Sequence, residues 1–512
     1  MPKWLKNTIF YEIYPQSFCD SNGDGIGDIR GIISKLDYIK DLGANAIWLN
    51  PIYLSPFMDA GYDVTDHKKV APRYGTLDDV KDLLNEVHKR DMKILFDLVA
   101  GHTSDTHEWF LESKKAKKNE YSNRYIFTHS VWEAPQEYKF VCGITPRDGN
   151  YLVNFFSSQP ALNYGFYDIT CPKWQLPYDH PDCQKTVDAL IDVMRYWLDL
   201  GVDGFRVDMA DSLVKNDDEK IATAKIWQRV RKMLDKDYPE AALVSEWCNP
   251  QRSINNSGFH MDFYLDHYGN GYSRLFRYEQ YGKNDSFFSD SANGDVTAFV
   301  DEYLPRYKET KDNGYICFMT NNHDMPRAPF YMSDDIIKLS HAFIMTMPGV
   351  PFIYYGDEIG MRYLDVLSKE GGYSRTGART PMQWSDSKNK GFSTADESML
   401  YLPVDKSENA PSVENQKGKD GSIYENMKAL VRLRKQYKEL ANDSDFEVVY
   451  AEKDKYPFAY SRGQFTAFVN PSNEEKKVKF NATGKEKIYS IGEYSLSDDT
   501  VTIGKKSFLL IK

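Results

Sequence analysis

The sequence predicts an α/β fold: a (β/α)8 TIM barrel with an insert after its third strand and an all-β domain at its C-terminus. Three observations carry this. Apolar runs and amphipathic helical stretches alternate along most of the 512 residues, the rhythm that builds a parallel sheet covered by helices. The apolar runs are continuous rather than alternating, as expected of strands buried on both faces. Eight of them can be counted, which matches the closed barrel, with an open doubly wound sheet as the structural alternative.

In chain order, IFYEIYPQSF (9–18) reads as the first strand, and Ile29, Ile32, Ile33, Leu36 and Ile39 recur at helical spacing until Gly43. AIWLNP (46–51) is the second strand. Thr76, with Asp79 three residues on, opens a helix whose Leu77, Val80, Leu83, Leu84 and Val87 form an apolar stripe. KILFDLV (93–99) is the third strand. Over 103–177 the alternation stops, in a segment rich in Tyr, Asn, Ser and Pro that is too long for a loop; it is taken as a small inserted domain. The rhythm resumes with a helix around Val187, Leu190, Ile191, Met194 and Leu198. GVDGFRVDM (201–209), AALVSEW (241–247), FHMDFYLDH (259–267), GYICFMTNNHD (314–324) and GVPFIYYGDEIG (349–360) supply the other five strands. IYENMKALVRLRKQY (423–437) is the last barrel helix, so the barrel comprises 1–102 and 178–440. Short strands such as FEVVYAE, FTAFVNP, KVKF and SFLLIK predict a C-terminal β-sandwich over 441–512. The Ser, Lys and Asp-rich stretch 385–422 reads as a surface loop.

Composition narrows the function classes. Lys plus Arg number 64 against 75 Asp plus Glu, a net charge of −11, and the bases are interspersed with acids. No basic surface for nucleic acid is expected. Aromatic residues at 14% of the chain exclude disorder and raise the prospect of a ligand site with flat apolar faces. The first 18 residues lack the apolar stretch of a signal peptide. The longest apolar tract, FIMTMPGVPFIYYG (343–356), is broken by two prolines and falls short of the ~20 residues a membrane span needs. A cytoplasmic protein without a membrane partner is therefore expected, its six cysteines, which form no CxxC pair, being reduced.

Catalytic groups of barrel enzymes lie at the C-terminal ends of strands. Three strands here end in acids: Asp208, Glu246 and Asp324. Period-2 alternation sends Arg206 and Asp208 to the same inward face. An inward Arg needs a carboxylate partner, and is expected to hold the Asp208 pKa down, as suits an ionised nucleophile. An inert buried ion pair is the plain alternative. Glu246, between AALVS and Trp247, has the apolar neighbours that raise a carboxyl pKa and keep a proton for donation. One ionised and one protonated carboxyl is the division of labour of glycoside hydrolysis. His102 ends DLVAGH, and Asp324 sits beside His323 in NNHD. There is no HExxH, GxSxG or GxxxxGKS sequence to suggest zinc, serine or P-loop chemistry.

DLVAGH, GFRVDMA, SEW and NNHD, in that order, resemble the short motifs of the α-amylase family of glycoside hydrolases, family 13. QPALNY (159–164), GVPFIYYGDEIG and ARTPMQW (378–384) extend the resemblance, the last two being similar to its oligo-1,6-glucosidase and α-glucosidase branch. The resemblance implies a retaining mechanism on α-glucosidic bonds, with Asp208 as nucleophile, Glu246 as acid and then base, and Asp324 as transition-state stabiliser. It implies sugar contacts from His102, Arg206 and His323, stacking by Tyr62, and a clamp on the terminal sugar by Asp63 and Arg379. Tyr62, Trp247 and Phe166 are the expected sugar-facing aromatics. Three positions depart from the family pattern. Gly101 stands where Asn usually precedes the His, Ala161 replaces the Asp of QPDLN, and Met209 follows the nucleophile where Val accompanies α-1,6 and Thr or Ala α-1,4 preference. The linkage stays open.

The loop DSNGDGIGD (20–28) places Asp20, Asn22, Asp24 and Asp28 at alternate or near-alternate positions, with the Ile26 carbonyl between them. These oxygen donors copy the start of an EF-hand loop without its final Glu and suit Ca2+, or less well Mg2+. A metal-free Asp/Asn/Gly turn is the alternative from composition alone; the resemblance implies a structural Ca2+. The expected activity is removal of terminal glucose from malto- or isomalto-oligosaccharides or sucrose, with no organic cofactor. A transglycosylase (sucrose isomerase, trehalose synthase), an endo-acting neopullulanase and a non-catalytic barrel scaffold are the alternatives.

Overall fold

The computed structural model describes residues 1–265, 269–277, 279–280, 283–370 and 373–512. The end of FHMDFYLDH and part of the 361–378 loop lie outside the described residues. Eight parallel strands close in sequence order: β1 (Phe10–Ile13), β2 (Ala46–Leu49), β3 (Lys93–Val99), β4 (Gly204–Asp208), β5 (Ala242–Ser245), β6 (Met261–Phe263), β7 (Tyr315–Phe318) and β8 (Val350–Tyr354). Phe10 of β1 sits opposite Phe352 of β8, which completes the ring. Alternation points Phe10, Trp48, Val244, Phe263, Cys317 and Phe352 into the lumen as one apolar cluster. The other faces pack against the surrounding helices in a larger core. Burial of both faces explains why the strands read as continuous apolar runs.

Local signals hold where they have a mechanism. The Thr76 hydroxyl accepts the Asp79 amide and the Asp79 carboxylate accepts the Thr76 amide, so the helix Leu77–Lys89 begins with a full capping box. The strands are shorter than predicted. In the first, Pro15 has no amide for the sheet and starts a 3-10 turn, Pro15–Ser17. The helix read from Ile29 divides at Lys35 into Ile29–Ser34 and Leu36–Leu42.

Residues 103–177 hold a short helix, Glu108–Ser113, and a two-stranded sheet, Phe140–Val141 with Tyr151–Leu152. Their apolar cluster includes Ile126, Phe166 and Trp174. Phe166 is fully buried there against Trp174 and is not sugar-facing as expected. The C-terminal strands form a five-stranded and a three-stranded antiparallel sheet. The 385–422 stretch is less superficial than predicted: Phe392, Leu400 and Val404 make a small core, and its backbone bonds to the 20–28 loop. Among the described residues no helix is long and apolar enough to cross a membrane. All six cysteines are free thiols.

Candidate active site

The β3–β4 register sets Asp97 opposite Arg206 and Val99 opposite Asp208. Arg206 is 1% exposed. Its Nη1 donates to Asp97 Oδ1 at 2.8 Å and to Asp208 Oδ1 at 3.1 Å, and its Nη2 lies 2.7 Å from Glu246 Oε2. One guanidinium thus holds three carboxylates from three neighbouring strands. Asp208 departs from expectation: burial pushes its carboxyl well above the usual range, Arg206 pulls it back, and Glu246, Asp97 and Asp324 push it up again. Three carboxylates on one cation favour a shared proton. Glu246 shares a cavity with Phe155, Trp247, Leu265 and Met325, the apolar neighbours expected, but it also pairs with Arg206 and accepts the Met209 amide at 3.0 Å. Met209 reaches that position with φ +42, a left-handed conformation uncommon for a residue with a side chain and often found at functional sites.

Asp324 stands across from this group. Arg375 Nη1 lies 3.0 Å and Arg379 Nη2 2.7 Å from its Oδ1. Burial opposes its charge, but His323, Arg379, Arg375 and Arg206 outweigh burial and hold the carboxyl well below the usual range. His323 is buried between Glu12 Oε1, 2.7 Å from Nδ1, and the Tyr62 hydroxyl, 2.7 Å from Nε2. Burial brings its pKa down to about 3, so the ring is neutral. Tyr62 stacks on it at 5.3 Å, and its hydroxyl donates to Asp97 Oδ2 at 2.8 Å.

The two residues expected to clamp the terminal sugar, Asp63 and Arg379, are not among those that line the cavity. Asp63 is fully buried and its carboxylate accepts the Ser55 hydroxyl and the Met58 and Asp59 amides, with burial raising its pKa to about 6. It shapes the loop and does not line the cavity. Asp59 does, paired with Arg375 at 2.9 Å. Arg379, 1% exposed, lies behind Asp324 and donates to the His323 carbonyl at 2.7 Å. Its Nη1 is 3.6 Å from Glu370 Oε2, and Glu370 also accepts the Tyr401 hydroxyl at 2.5 Å.

His102 lines the same cavity, its Nε2 3.1 Å from the Tyr62 carbonyl and its Nδ1 3.3 Å from Asn154 Nδ2. Burial lowers its pKa to about 4. At Gly101 a Cβ would meet Asn154 Nδ2 at 2.8 Å, the end of a side chain that can turn aside. The amide of Asn154 fills that space from the inserted segment, which returns to the strand end through the bridge between His102 and Ala161.

Two adjoining cavities share Phe155, Met209, Glu246 and Asp324. One, about 280 Å³, is walled by Asp59, Tyr62, His102, Asp208 and Arg375. The other, about 320 Å³, is walled by Trp247, Leu265, Met325, Asp211 and Asn322. The first has the hydroxyl-binding groups and the carboxylates for cleaving a glycosidic bond by acid and nucleophile. Sequence reasoning missed Asp97, Asp59, Arg375 and Asn154. Asp97 carried a signal, a lone acid within the apolar run KILFDLV. Asp59 and Asn154 sit on irregular loops and Arg375 in a short 3-10 helix, Tyr373–Ala378, with no periodicity to place them.

The 20–28 loop is held by its own polar groups. Asp20 Oδ1 accepts the Asn22 and Gly23 amides and its Oδ2 the Gly25 amide and Ser393 hydroxyl. Asn22 accepts from Asp24, Asp24 from Ile26, and Asp28 caps the next helix through Gly31. The donor set is all oxygen, the chemistry Ca2+ takes. Yet among the described residues no group of three or more His, Cys, Asp or Glu side chains gathers as a metal site, and the loop amides already satisfy the Asp20 carboxylate.

The alpha-amylase catalytic domain model matches residues 12–443. The oligo-1,6-glucosidase of Parageobacillus thermoglucosidasius is 30% identical, over 96% of this chain and 92% of that protein. The trehalose synthase/amylase of Mycolicibacterium smegmatis is 34% identical, over 78% of this chain and 70% of its own. Among solved structures, the trehalulose synthase of Pseudomonas mesoacidophila MX-45 superposes with a TM-score of 0.80 at 25% identity, over all of both chains.

Proposed function

The chain belongs to the alpha-amylase family of glycoside hydrolases, and from that premise we propose that it is a retaining α-glucosidase releasing terminal glucose from short α-linked oligosaccharides. The observation that carries this is the convergence of Asp208 and Glu246 on Arg206, facing Asp324 in one cavity. In this reading Asp208 attacks the anomeric carbon of the bound glucose as the bond to the leaving oxygen breaks. Glu246 gives that oxygen its proton, so the departing group leaves as a neutral alcohol. Glu246 then takes a proton from water, whose oxygen attacks the same carbon and frees Asp208. Asp324, held ionised by its arginines, faces the positive charge that develops on the ring.

Asp59 and Arg375 close the glucose-side cavity and support action from the chain end. The relatives named oligo-1,6-glucosidase support a short oligosaccharide as substrate. The trehalose synthase relative keeps transfer to a second sugar as the alternative. Incubation with isomaltose, maltose, sucrose and trehalose separates the two: free glucose is expected, and a disaccharide isomer as main product contradicts hydrolysis. A cytoplasmic location is retained as part of the proposal, supported by the six cysteines, all free thiols. So is a structural Ca2+ held by Asp20, Asn22, Asp24, Ile26 and Asp28, supported by their alternate oxygen donors. Melting temperature should fall with EGTA and recover with Ca2+, and no movement contradicts the metal.

A further inference from the structure

Glu12 is a buried acid that the catalytic steps leave unused. It lies on β1 on the same side as Phe10, so alternation turns it into the lumen, where it is fully buried. Its Oε1 lies 2.7 Å from His323 Nδ1 and accepts the Asn50 side-chain amide at 3.3 Å. The other ring nitrogen, Nε2, lies 2.7 Å from the Tyr62 hydroxyl and 3.4 Å from Asp324 Oδ2.

The neighbours decide which ring nitrogen carries the proton. Asp97 Oδ2 accepts the Trp48 Nε1 proton at 3.1 Å and the single Tyr62 hydroxyl proton at 2.8 Å, and a carboxylate paired with Arg206 is the strongest acceptor that hydroxyl can reach. The Tyr62 oxygen is then left to accept, as it does from Asn50 Nδ2 at 3.2 Å. A bare Nε2 would turn its lone pair on two oxygens that also accept, those of Tyr62 and Asp324. A protonated Nε2 satisfies the first and attracts the second. Because burial keeps the ring neutral, with a pKa of about 3, a proton on Nε2 leaves Nδ1 as an acceptor. Its neighbour Glu12 Oε1 must then donate, which a carboxyl does only when protonated.

We infer that Glu12 is a protonated positioning residue, whose hydrogen bond to His323 Nδ1 holds the ring with its Nε2 proton towards Tyr62 and Asp324. Burial agrees: it holds the Glu12 carboxyl well above the usual range, while Asn50 and Arg206 pull it back and Asp97 and Asp324 push it up again. The consequence falls on Asp324, which meets a donor rather than a lone pair and so keeps its charge where the transition state needs it. An ionised Glu12 would reverse the ring and set a bare nitrogen against that charge.

NMR of the protein carrying 15N-labelled histidine at neutral pH reads the ring itself, with His323 assigned by the signals lost in His323→Gln. An unprotonated Nδ1 and a protonated Nε2 are expected; a proton on Nδ1, with or without one on Nε2, overturns the proposal. Glu12→Met fills the space but cannot donate, and kcat should fall about tenfold, the worth of one hydrogen bond to a charged group. Glu12→Gln should restore most of that loss, since its amide donates to Nδ1 without a charge. Equal kcat in all three proteins removes the positioning role, and a Gln variant as slow as the Met variant removes the donor. The kcat comparison rests on the α-glucosidase reading and the ring signals do not. Absence of glucose release from every disaccharide would therefore overturn that reading and leave Glu12 to be decided by the signals of the wild type.

Discussion

Arg206 concentrates three acids on one buried cation, and the protonation of Asp208 is set by what surrounds it. Removing one negative neighbour should make Asp208 easier to ionise. Asp97 raises the Asp208 carboxyl and also draws on the charge of Arg206, so Asp97→Asn lowers the Asp208 pKa on both counts. The acid limb of kcat/KM should move to lower pH, measured as a pH profile with one glucoside; a shift to higher pH contradicts the assignment. The corrected clamp is tested by comparing Asp59→Asn with Asp63→Asn. The first should raise KM at least tenfold with little change in melting temperature. The second should lower the melting temperature with KM nearly unchanged, because Asp63 serves three loop donors and faces no cavity. Asp208 was legible in the sequence because it ends a strand whose period fixes its direction, whereas Glu246 lies one residue and Asp324 six residues beyond the strands that carry them. The clamp was not legible: Asp59 and Asp63 are four residues apart in an irregular turn, where nothing in the sequence says which carboxylate turns inward.

At the scale of elements, regular segments were read well and the joints between them poorly. The Thr76 capping box was visible because its two partners lie within one turn, and Thr76→Ala should cost about 1 kcal/mol in a denaturant melt. The 385–422 stretch was misread because its few apolar residues find partners far along the chain. Tyr401 donates its amide to the Gly25 carbonyl and its hydroxyl to Glu370, and Glu370 backs Arg379, which holds Asp324. This run of contacts joins the acidic loop to the catalytic cavity through groups whose sequence positions give no hint of proximity. Glu370→Gln keeps the shape and removes the charge behind Arg379, so kcat should fall several-fold while the melting temperature changes little. An unchanged kcat contradicts the support assigned to Glu370.

For the whole molecule, burial decides how stability follows pH. His341 is 2% exposed, and neither ring nitrogen has a hydrogen-bond partner among the described residues; burial lowers its pKa to about 3. In the unfolded chain it titrates near 6.5, so between these values the unfolded state binds more protons and acidification weakens the fold. His341→Leu should therefore lose less melting temperature than the wild type on going from pH 7 to pH 5. The barrel that encloses such groups was legible from the eight apolar runs, whereas the pairing of its two cavities required the closed ring and the insert to be seen together. The central claim is that Asp208 carries the glucosyl group between the two steps. Rapid-quench mass spectrometry of Glu246→Ala with α-glucosyl fluoride, whose leaving group needs no proton, measures this directly. The prediction is one glucosyl adduct on the peptide containing Asp208; an adduct on another acid, or β-glucose released with no adduct, contradicts it.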